Sequence, residues 1–252
     1  MLPLLSAAAT AQTSGQPQLV KVLDSIGRQV ESFWSFVPAV TCTEVLTQEK
    51  LNDKGKALLQ EKSTYDYLVL LQSAGDEISV EESRIQKSRK ESKGKAALLT
   101  TNGFSILALI FHPTYQGRYE FTQLPDEVAG GRHLLRIGFR QVEKEHSPSA
   151  LVLRDREYPL EWKGTAWIDP STFAVVRIDS SLASPMDAIG LLKLDAQVTY
   201  STIRFNRTLE YWLPTRAVVE AATKRQHWRN THLFTDYRRF DVETETKIPT
   251  TH

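Results

Sequence analysis

Residues 160–178 read LEWKGTAWIDPSTFAVVRI, and this stretch decides the predicted fold. Apolar and polar residues alternate over its first nine positions, which is typical of a β-strand with one buried face. The DPST sequence at residues 169–172 then predicts a turn, because proline presets its own φ angle and the aspartate side chain can bond to the nearby backbone. Apolar residues return at alternate positions up to Ile178. The stretch therefore predicts two antiparallel strands joined by a tight turn.

The same two-residue alternation recurs along most of the chain. It predicts further strands at about residues 40–51, 57–72, 77–86, 119–124, 135–139, 191–205, 209–223 and 231–245. Between two of them, residues 125–131 are predicted to be a turn region, with Gly130 and Gly131 in the hairpin turn. Pro214 interrupts a strand and indicates either an edge position or a bulge. Because strands follow strands through short turns, we expect an antiparallel meander rather than βαβ units.

Two segments have a helical pattern instead. From Pro17 onward apolar residues recur every three or four positions, which predicts an amphipathic helix that Pro38 ends. Residues 102–111 (NGFSILALIF) are nearly all apolar, with Asn102 as a possible N-cap and a proline after His112, so we predict a short buried helix. A buried strand is the alternative for so short an apolar run.

These elements predict an α+β fold that is mostly β. Its core would be a single large curved antiparallel sheet, an open half-barrel, with the N-terminal helix and the short buried helix against the concave face. Two polar stretches, the basic run at residues 87–95 and the segment at residues 143–157, are predicted to be solvated loops.

The first residues have the features of an export signal. The run MLPLLSAAATA is apolar and then small, and the ATA at residues 9–11 has the A-x-A form of a signal-peptidase site. We therefore expect residues 1–11 to be a signal-peptide remnant, residues 12–16 a linker, and residues 17–252 a single domain. The expected location is the periplasm or the cell exterior.

Composition excludes several classes of partner. Lys and Arg number 31 and Asp and Glu 30, so the formal net charge is +1 and no excess of positive charge points to nucleic acid. No stretch reaches the roughly 18 apolar residues of a membrane-spanning helix, so we predict no transmembrane segment. Cys42 is the only cysteine, which excludes an internal disulfide, and we expect it to be a small buried apolar residue.

The sequence contains no recognisable catalytic or cofactor motif. Its six histidines are scattered and lack zinc-site spacing, and it has no P-loop, no dinucleotide-binding glycine motif and no G-x-S-x-G elbow. Asp155 and Glu157 are spaced as a carboxylate pair, but flanking arginines favour surface ion pairs. We therefore expect no metal, no cofactor and no catalysis, and keep a hydrolase with scattered catalytic residues as an alternative.

The hairpin at residues 164–178 resembles one found in the lipoprotein-carrier superfamily, which contains LolA-like, LolB-like and RseB-like secreted bacterial proteins. The likeness is carried by a tryptophan, a hydrophobic residue and D-x-x-T at residues 167–172, followed by Arg177 and a hydrophobic residue. The YWLPT sequence at residues 211–215 is similar to a late strand of that family. The resemblance implies a curved sheet whose helices enclose an apolar cavity that takes acyl chains.

On that resemblance we expect a non-catalytic protein that binds a lipid, an acyl chain or a lipoprotein, as a carrier or a sensor. The expected cavity lining is Phe104, Leu107, Ile110, Phe111, Trp162 and Trp212. Ordinary core packing is the alternative role for each of these residues. The alternative function is a structural or interaction module that contacts an envelope protein and has a closed core without a ligand.

Overall fold

The structure of the protein is a computed structural model. It describes residues 15–36, 40–74, 77–90, 99, 101, 103–142, 150–153 and 156–239. The helices in this part are α1 (Gly15–Phe36), α2 (Pro113–Gln116) and the 3₁₀ helices Phe104–Phe111 and Asp187–Ile189. The strands are β1 (Val40–Leu51), β2 (Ala57–Ala74), β3 (Glu77–Lys90), β4 (Tyr119–Ala129), β5 (Arg132–Gln141), β6 (Ala150–Leu153), β7 (Arg156–Pro159), β8 (Trp162–Ile168), β9 (Val175–Leu182), β10 (Leu191–Arg204), β11 (Glu210–Thr223) and β12 (His227–Arg239).

Ten strands form one sheet in the order β3-β2-β1-β12-β11-β10-β9-β8-β5-β4, and every pairing in it is antiparallel. The last strand, β12, lies between β1 and β11, so it joins the two ends of the meander. Strands β3 and β4 lie at the two edges, which leaves the sheet open. Strands β6 and β7 form a separate hairpin. The predicted fold class, an open half-barrel with an N-terminal helix and few other helices, is confirmed.

Alternation along the strands decides which side chains form the core. In β1 burial alternates from Val40 to Gln48, as its sequence pattern predicts. While Leu134, Trp167 and Val176 form a small separate cluster, most buried side chains of the sheet share one core with α1 and the 3₁₀ helix Phe104–Phe111. We call this side of the sheet the inner face and the opposite side the outer face.

The β8–β9 hairpin of the decisive stretch depends on a glycine. A Cβ atom at Gly164 would lie 2.1 Å from the carbonyl oxygen of Asp179 and 2.6 Å from the ring of Phe139. These distances are far below van der Waals contact, so only glycine allows β8 to approach β9 this closely.

Several element boundaries differ from the prediction. Helix α1 begins at Gly15, inside the expected linker, and ends at Phe36. Residues 87–90 belong to β3 and not to the predicted basic loop, because an edge strand tolerates exposed lysine and arginine. The rest of that loop, residues 91–95, lies outside the described residues, as does the predicted strand beyond residue 239.

Two polar stretches also contain strands that the sequence did not predict. Residues 125–129 continue β4 through a shift of register, and the turn is reduced to Gly130 and Gly131, both at positive φ. Part of the predicted loop at residues 143–157 forms the β6–β7 hairpin. Asp155 and residues 143–149 lie outside the described residues.

The two ambiguous segments are resolved by the structure. Pro214 lies in β11, an interior strand, so the edge position is wrong and the bulge is confirmed: the β10–β11 register shifts where Tyr200 pairs with Pro214. Pairing of β11 with β12 is recorded from Arg216 onward. The segment predicted as a short buried helix is helical from Phe104 to Phe111, in the tighter 3₁₀ form; Asn102 lies outside the described residues.

Candidate functional site

The inner face of the sheet is occupied by the chain's own 3₁₀ helix Phe104–Phe111, which we call the plug helix. All eight of its residues, FSILALIF, are buried. It contacts α1 on one side and strands β9, β10 and β11 on the other. It therefore fills the space between α1 and the inner face of the sheet.

Aromatic residues hold both ends of the plug helix. The ring of Phe104 packs edge-on against Trp162 of β8, with ring centroids 6.1 Å apart. At the other end Phe111 packs edge-on against Phe139 of β5 at 6.1 Å and tilted against Phe121 of β4 at 5.3 Å. We call this part of the inner face, formed by β4, β5 and β8, the aromatic half.

A cavity of about 120 Å³ lies beside the plug helix. Helix α1 contributes Phe33, the plug helix contributes Ala108, and the sheet contributes Tyr200 and Trp212. A second apolar cavity, of about 30 Å³, borders Cys42. Ligand pockets for drug-sized molecules measure about 300–1,000 Å³. Neither space holds an acyl chain while the plug helix is in place.

The six expected lining residues divide into two groups. Phe104, Leu107, Ile110, Phe111 and Trp162 are packed in the core, each at most 8% exposed. Trp212 is partly buried and lines the larger cavity. The structure thus packs five of the six in the core and places Trp212 on the wall of the larger cavity.

The opposite half of the inner face carries buried charge. We call Glu44, Glu82, Arg84, Asn230 and His232, from strands β1, β3 and β12, the polar cluster. Its two glutamates are 0% and 4% exposed in their side chains, and His232 is 3% exposed. This part of the inner face, formed by β1, β2, β3 and β12, is the polar half.

Arg84 is the cation at the centre of the polar cluster. Its Nε and Nη2 atoms lie 2.5 and 3.0 Å from the two carboxylate oxygens of Glu44, which is the bidentate arrangement, and its Nη1 lies 2.9 Å from Glu82. The guanidinium also lies 5.0 Å from the ring centroid of Tyr67. The buried charges are therefore paired, as burial requires.

The polar cluster forms hydrogen bonds with the chain segment immediately before the plug helix. His232 Nε2 lies 2.8 Å from Thr101 Oγ1, and the Asn230 amide donates to Thr101 Oγ1 at 2.9 Å. The same amide also donates to the carbonyl of Leu99 at 2.8 Å. Glu82 accepts from the backbone N–H of Gly103 at 2.8 Å. Four contacts from buried polar groups thus fix the entry to the plug helix.

Pairing sets the protonation of these groups. Burial alone would raise the pKa of Glu44, but hydrogen bonds from His232 and Arg84 outweigh it and hold the pKa below its ordinary value of 4.5. Burial alone would lower the pKa of Arg84, but the hydrogen bond to Glu44 and the nearby carboxylates raise it above the ordinary range. Both groups therefore stay charged at neutral pH.

One arrangement in the polar half has the order of a catalytic triad. His232 Nδ1 lies 2.7 Å from Glu44 Oε1 while its Nε2 contacts the Thr101 hydroxyl, the carboxylate–imidazole–hydroxyl order of serine hydrolases. A hydrolase also needs space for a substrate carbonyl beside the hydroxyl. The space bounded by Thr101, Phe104 and His232 holds not even one water molecule. In this state the arrangement binds the chain and has no room for a substrate.

The far end of the plug helix is held by α1 and α2. Gln116 of α2 donates to the carbonyls of Leu23 at 2.9 Å and Phe111 at 2.8 Å. Tyr200 contacts the middle: its hydroxyl accepts from the Ala108 N–H at 3.2 Å and donates to the Ser105 carbonyl at 3.3 Å. The plug helix is therefore held at both ends and through its middle.

Sequence reasoning missed the polar cluster, although a signal was present. In β1 the buried positions are alternate ones, and Glu44 and Gln48 fall in phase with Cys42 and Leu46. A carboxylate at a core-facing position of a strand demands a buried partner. His232 and Arg84 are the partners of Glu44.

The outer face carries exposed charge and a shallow polar groove. This groove, of about 530 Å³, is lined by side chains such as Asp179, Asp195 and Glu220. Arginine and lysine pair with these carboxylates, as in Arg229–Glu220 at 2.7 Å. Ion pairs that water reaches in this way contribute little stability. Within the described ranges no three side chains form a metal-binding group, and no helix is long and apolar enough to cross a membrane.

Comparison with known proteins gives matches in structure only. No protein-family model matches the sequence. No curated protein sequence matches it significantly.

Three solved structures illustrate the likeness in fold. A LolA superfamily protein from Nitrosomonas europaea matches with a TM-score of 0.42 and 13% identity, over 87% of this chain and 94% of that one. An outer membrane lipoprotein-sorting protein domain assigned in Vibrio parahaemolyticus matches with a TM-score of 0.38 and 12% identity, over 91% and 94%. The MucA/MucB complex of Pseudomonas aeruginosa matches with a TM-score of 0.23 and 10% identity, over 87% and 99%. The superfamily that the 164–178 hairpin resembles is thus among those to which the structure is similar.

Proposed function

We propose that the chain is an exported, non-catalytic protein that binds an acyl chain, of a lipid or a lipoprotein, on its inner face after the plug helix moves away. The observation that carries this proposal is the plug helix itself. It is a wholly buried apolar segment inside a sheet that is open at both edges.

The form of the plug helix supports its displacement. A 3₁₀ helix has poorer hydrogen-bond geometry than an α-helix, and runs longer than three or four residues are uncommon. This one has eight residues. Since its own backbone bonds stabilise it weakly, its position depends on side-chain contacts that a ligand can replace.

Apolar burial supplies a driving force for the exchange. Each buried methylene contributes about 0.8 kcal/mol, so a chain of twelve contributes roughly 10 kcal/mol before the cost of displacing the plug helix. The cavity at Phe33 and Trp212 lies beside the plug helix and is a starting point for entry. Its modest size fits a resting, ligand-free state.

A second candidate is an interaction module with a closed core, which binds an envelope protein and no lipid. The filled inner face favours it, because the two cavities beside the plug helix and Cys42 measure about 120 and 30 Å³. The two candidates differ in whether the plug helix ever leaves its place.

Native mass spectrometry of the protein expressed into a bacterial periplasm, with organic extraction of bound molecules, separates the candidates. We expect a co-purifying acyl species. The Trp212→Asp variant should lose it, because the substitution places a charge on the cavity wall. The Leu233→Asp variant should retain it, because Leu233 is 41% exposed and is packed against no core cluster.

A protein that carries no ligand and ignores added fatty acids and lipopeptides contradicts the acyl-binding proposal. That result would favour the interaction module. Cross-linking to envelope proteins in intact cells would then identify its partner.

A further inference from the structure

Three residues on neighbouring strands of the aromatic half carry buried hydrogen-bond donors without acceptors. The donors are the hydroxyl of Tyr119, the side-chain N–H₂ of Gln141 and the indole N–H of Trp162. None of these atoms has a hydrogen-bond partner in the described part of the chain. The three residues are 5%, 3% and 1% exposed. Buried polar groups without a partner are rare in native proteins and each calls for an explanation.

The three donors occupy one neighbourhood of the inner face. Tyr119 of β4 and Gln141 of β5 are directly paired across the two strands, which places their Cβ atoms about 5 Å apart. The Gln141 side-chain carbonyl accepts from the backbone N–H of Trp162 at 3.2 Å, so its N–H₂ is the free end of the amide. Adjacent strands therefore bring the three residues to one end of the aromatic half.

All three groups can donate a hydrogen bond and have no acceptor, so they favour a ligand that accepts hydrogen bonds. Burial raises the pKa of Tyr119 above its ordinary range, so this phenol stays protonated and can donate. Indole and amide N–H groups donate at any physiological pH. A group that accepts several hydrogen bonds and offers none, such as a carboxylate or ester oxygen, satisfies the set.

The plug helix lies beside this set. The ring of Phe104 contacts Trp162, and Phe111 at the other end contacts Phe139, which in turn packs 6.2 Å from Tyr119. Departure of the plug helix would therefore uncover all three residues along the β4–β5–β8 wall of the space it leaves.

We propose that Tyr119, Gln141 and Trp162 form a subsite for the acyl oxygens of the ligand, a carboxylate or an ester. This inference rests on the proposed acyl-binding function. The inference adds the orientation of the bound ligand, because it places the oxygen-bearing end of the acyl group between β4, β5 and β8.

The test measures binding of three twelve-carbon amphiphiles to the full chain by calorimetry. Dodecanoate has a carboxylate, glycerol monododecanoate has an ester, and dodecyltrimethylammonium has no acceptor. We expect dodecanoate to bind about tenfold or more tightly than dodecyltrimethylammonium, since a hydrogen bond to a charged group is among the stronger ones. The affinity of the ester shows whether the subsite requires a negative charge or only an acyl oxygen.

The variant Tyr119→Phe removes one donor and keeps the ring. It should weaken dodecanoate binding about tenfold, leave dodecyltrimethylammonium binding unchanged, and leave Tm unchanged or higher, because the lost hydroxyl has no partner in the ligand-free protein. The matched control is Tyr200→Phe, whose hydroxyl contacts Ala108 and Ser105, and this control should lower Tm. Trp162→Phe should weaken dodecanoate selectively, like Tyr119→Phe.

Equal binding of dodecanoate and dodecyltrimethylammonium, unchanged by Tyr119→Phe, overturns the subsite and leaves the acyl-binding function standing. A drop in Tm for Tyr119→Phe like that for Tyr200→Phe also overturns it, because the hydroxyl would then be satisfied by a structural water. Failure of all three amphiphiles to bind the native chain overturns the proposed function and the subsite together.

Discussion

The polar half and the aromatic half of the inner face hold the same eight-residue plug helix through different kinds of interaction. The polar half fixes the chain before it, at Thr101 and Gly103, through directional hydrogen bonds from buried charged and amide groups. The aromatic half packs against Phe104 and Phe111 through ring contacts that an apolar ligand can reproduce. The comparison indicates which contacts survive ligand entry. During ligand entry the polar half keeps its hydrogen bonds to the chain, while the aromatic half exchanges its contacts with the plug helix for contacts with the ligand.

Breaking the charge pair should have the largest effect on stability. Arg84→Met leaves the Glu44 carboxylate buried without its bidentate partner, and losses of this kind cost about 3–5 kcal/mol. Urea unfolding monitored by circular dichroism measures the change. Arg229→Met removes an arginine from the half-buried outer-face pair with Glu220 and should cost about 1 kcal/mol. Equal losses for the two variants would mean that the polar half does not anchor the fold.

The second-largest effect on stability is expected at a close backbone contact near the aromatic half. Gly164→Ala places a Cβ 2.1 Å from the Asp179 carbonyl oxygen, and relief requires β8 and β9 to separate. We expect a cost of about 1–3 kcal/mol or more, in the range of overpacked sites. On neighbouring β5, Gly138→Ala meets nothing closer than 3.5 Å and serves as the control. A Tm for Gly164→Ala equal to that of Gly138→Ala would show that the hairpin adjusts freely.

Stability should depend on pH through the polar half. The folded-state pKa of Glu44 is lowered, so its contribution is complete above the unfolded pKa, near 4.5, and is lost as the pH falls through the folded value. The difference in unfolding free energy between the native chain and Glu44→Gln should therefore be largest at neutral pH and shrink in acid. Comparing the two proteins cancels the titration of other carboxylates. A difference independent of pH would place the effect in packing rather than charge.

The smallest effect is expected where the polar half meets the plug helix. Thr101→Val removes the hydroxyl that contacts His232 and Asn230 and should cost about 1 kcal/mol. It should also strengthen dodecanoate binding, because a loosened plug helix costs less to displace. Thr47→Val, on the outer side of β1, is the matched control and should change neither quantity. Weaker dodecanoate binding by Thr101→Val would contradict the anchoring role.

The parts of the fold that the sequence predicted are those set by local sequence patterns. The bounds of β1 were predicted correctly because its alternation is local and regular, and the helicity of the plug helix followed from its continuous apolar run. Residues 87–90 and 125–129 were not predicted as strand, because charge and Pro125 suggested loop, whereas edge strands tolerate both.

The candidate site was less predictable than the fold. Glu44 and His232 are 188 residues apart in sequence, and only the placement of β12 beside β1 joins them. Similarly, the unpaired state of the Tyr119 hydroxyl is a property of its surroundings that no local pattern records. Trp212 was assigned to the cavity wall by resemblance, and its place beside the open space depends on how α1 packs.

Amide hydrogen exchange of residues 104–111, measured by mass spectrometry with and without saturating dodecanoate, tests most directly whether the plug helix gives way to a ligand. We predict that dodecanoate accelerates exchange in the plug helix at least tenfold, while exchange in β1 and β12 stays unchanged because the polar half remains in place. Exchange in the plug helix that is unchanged or slowed by bound dodecanoate would contradict displacement and would place the ligand elsewhere on the protein.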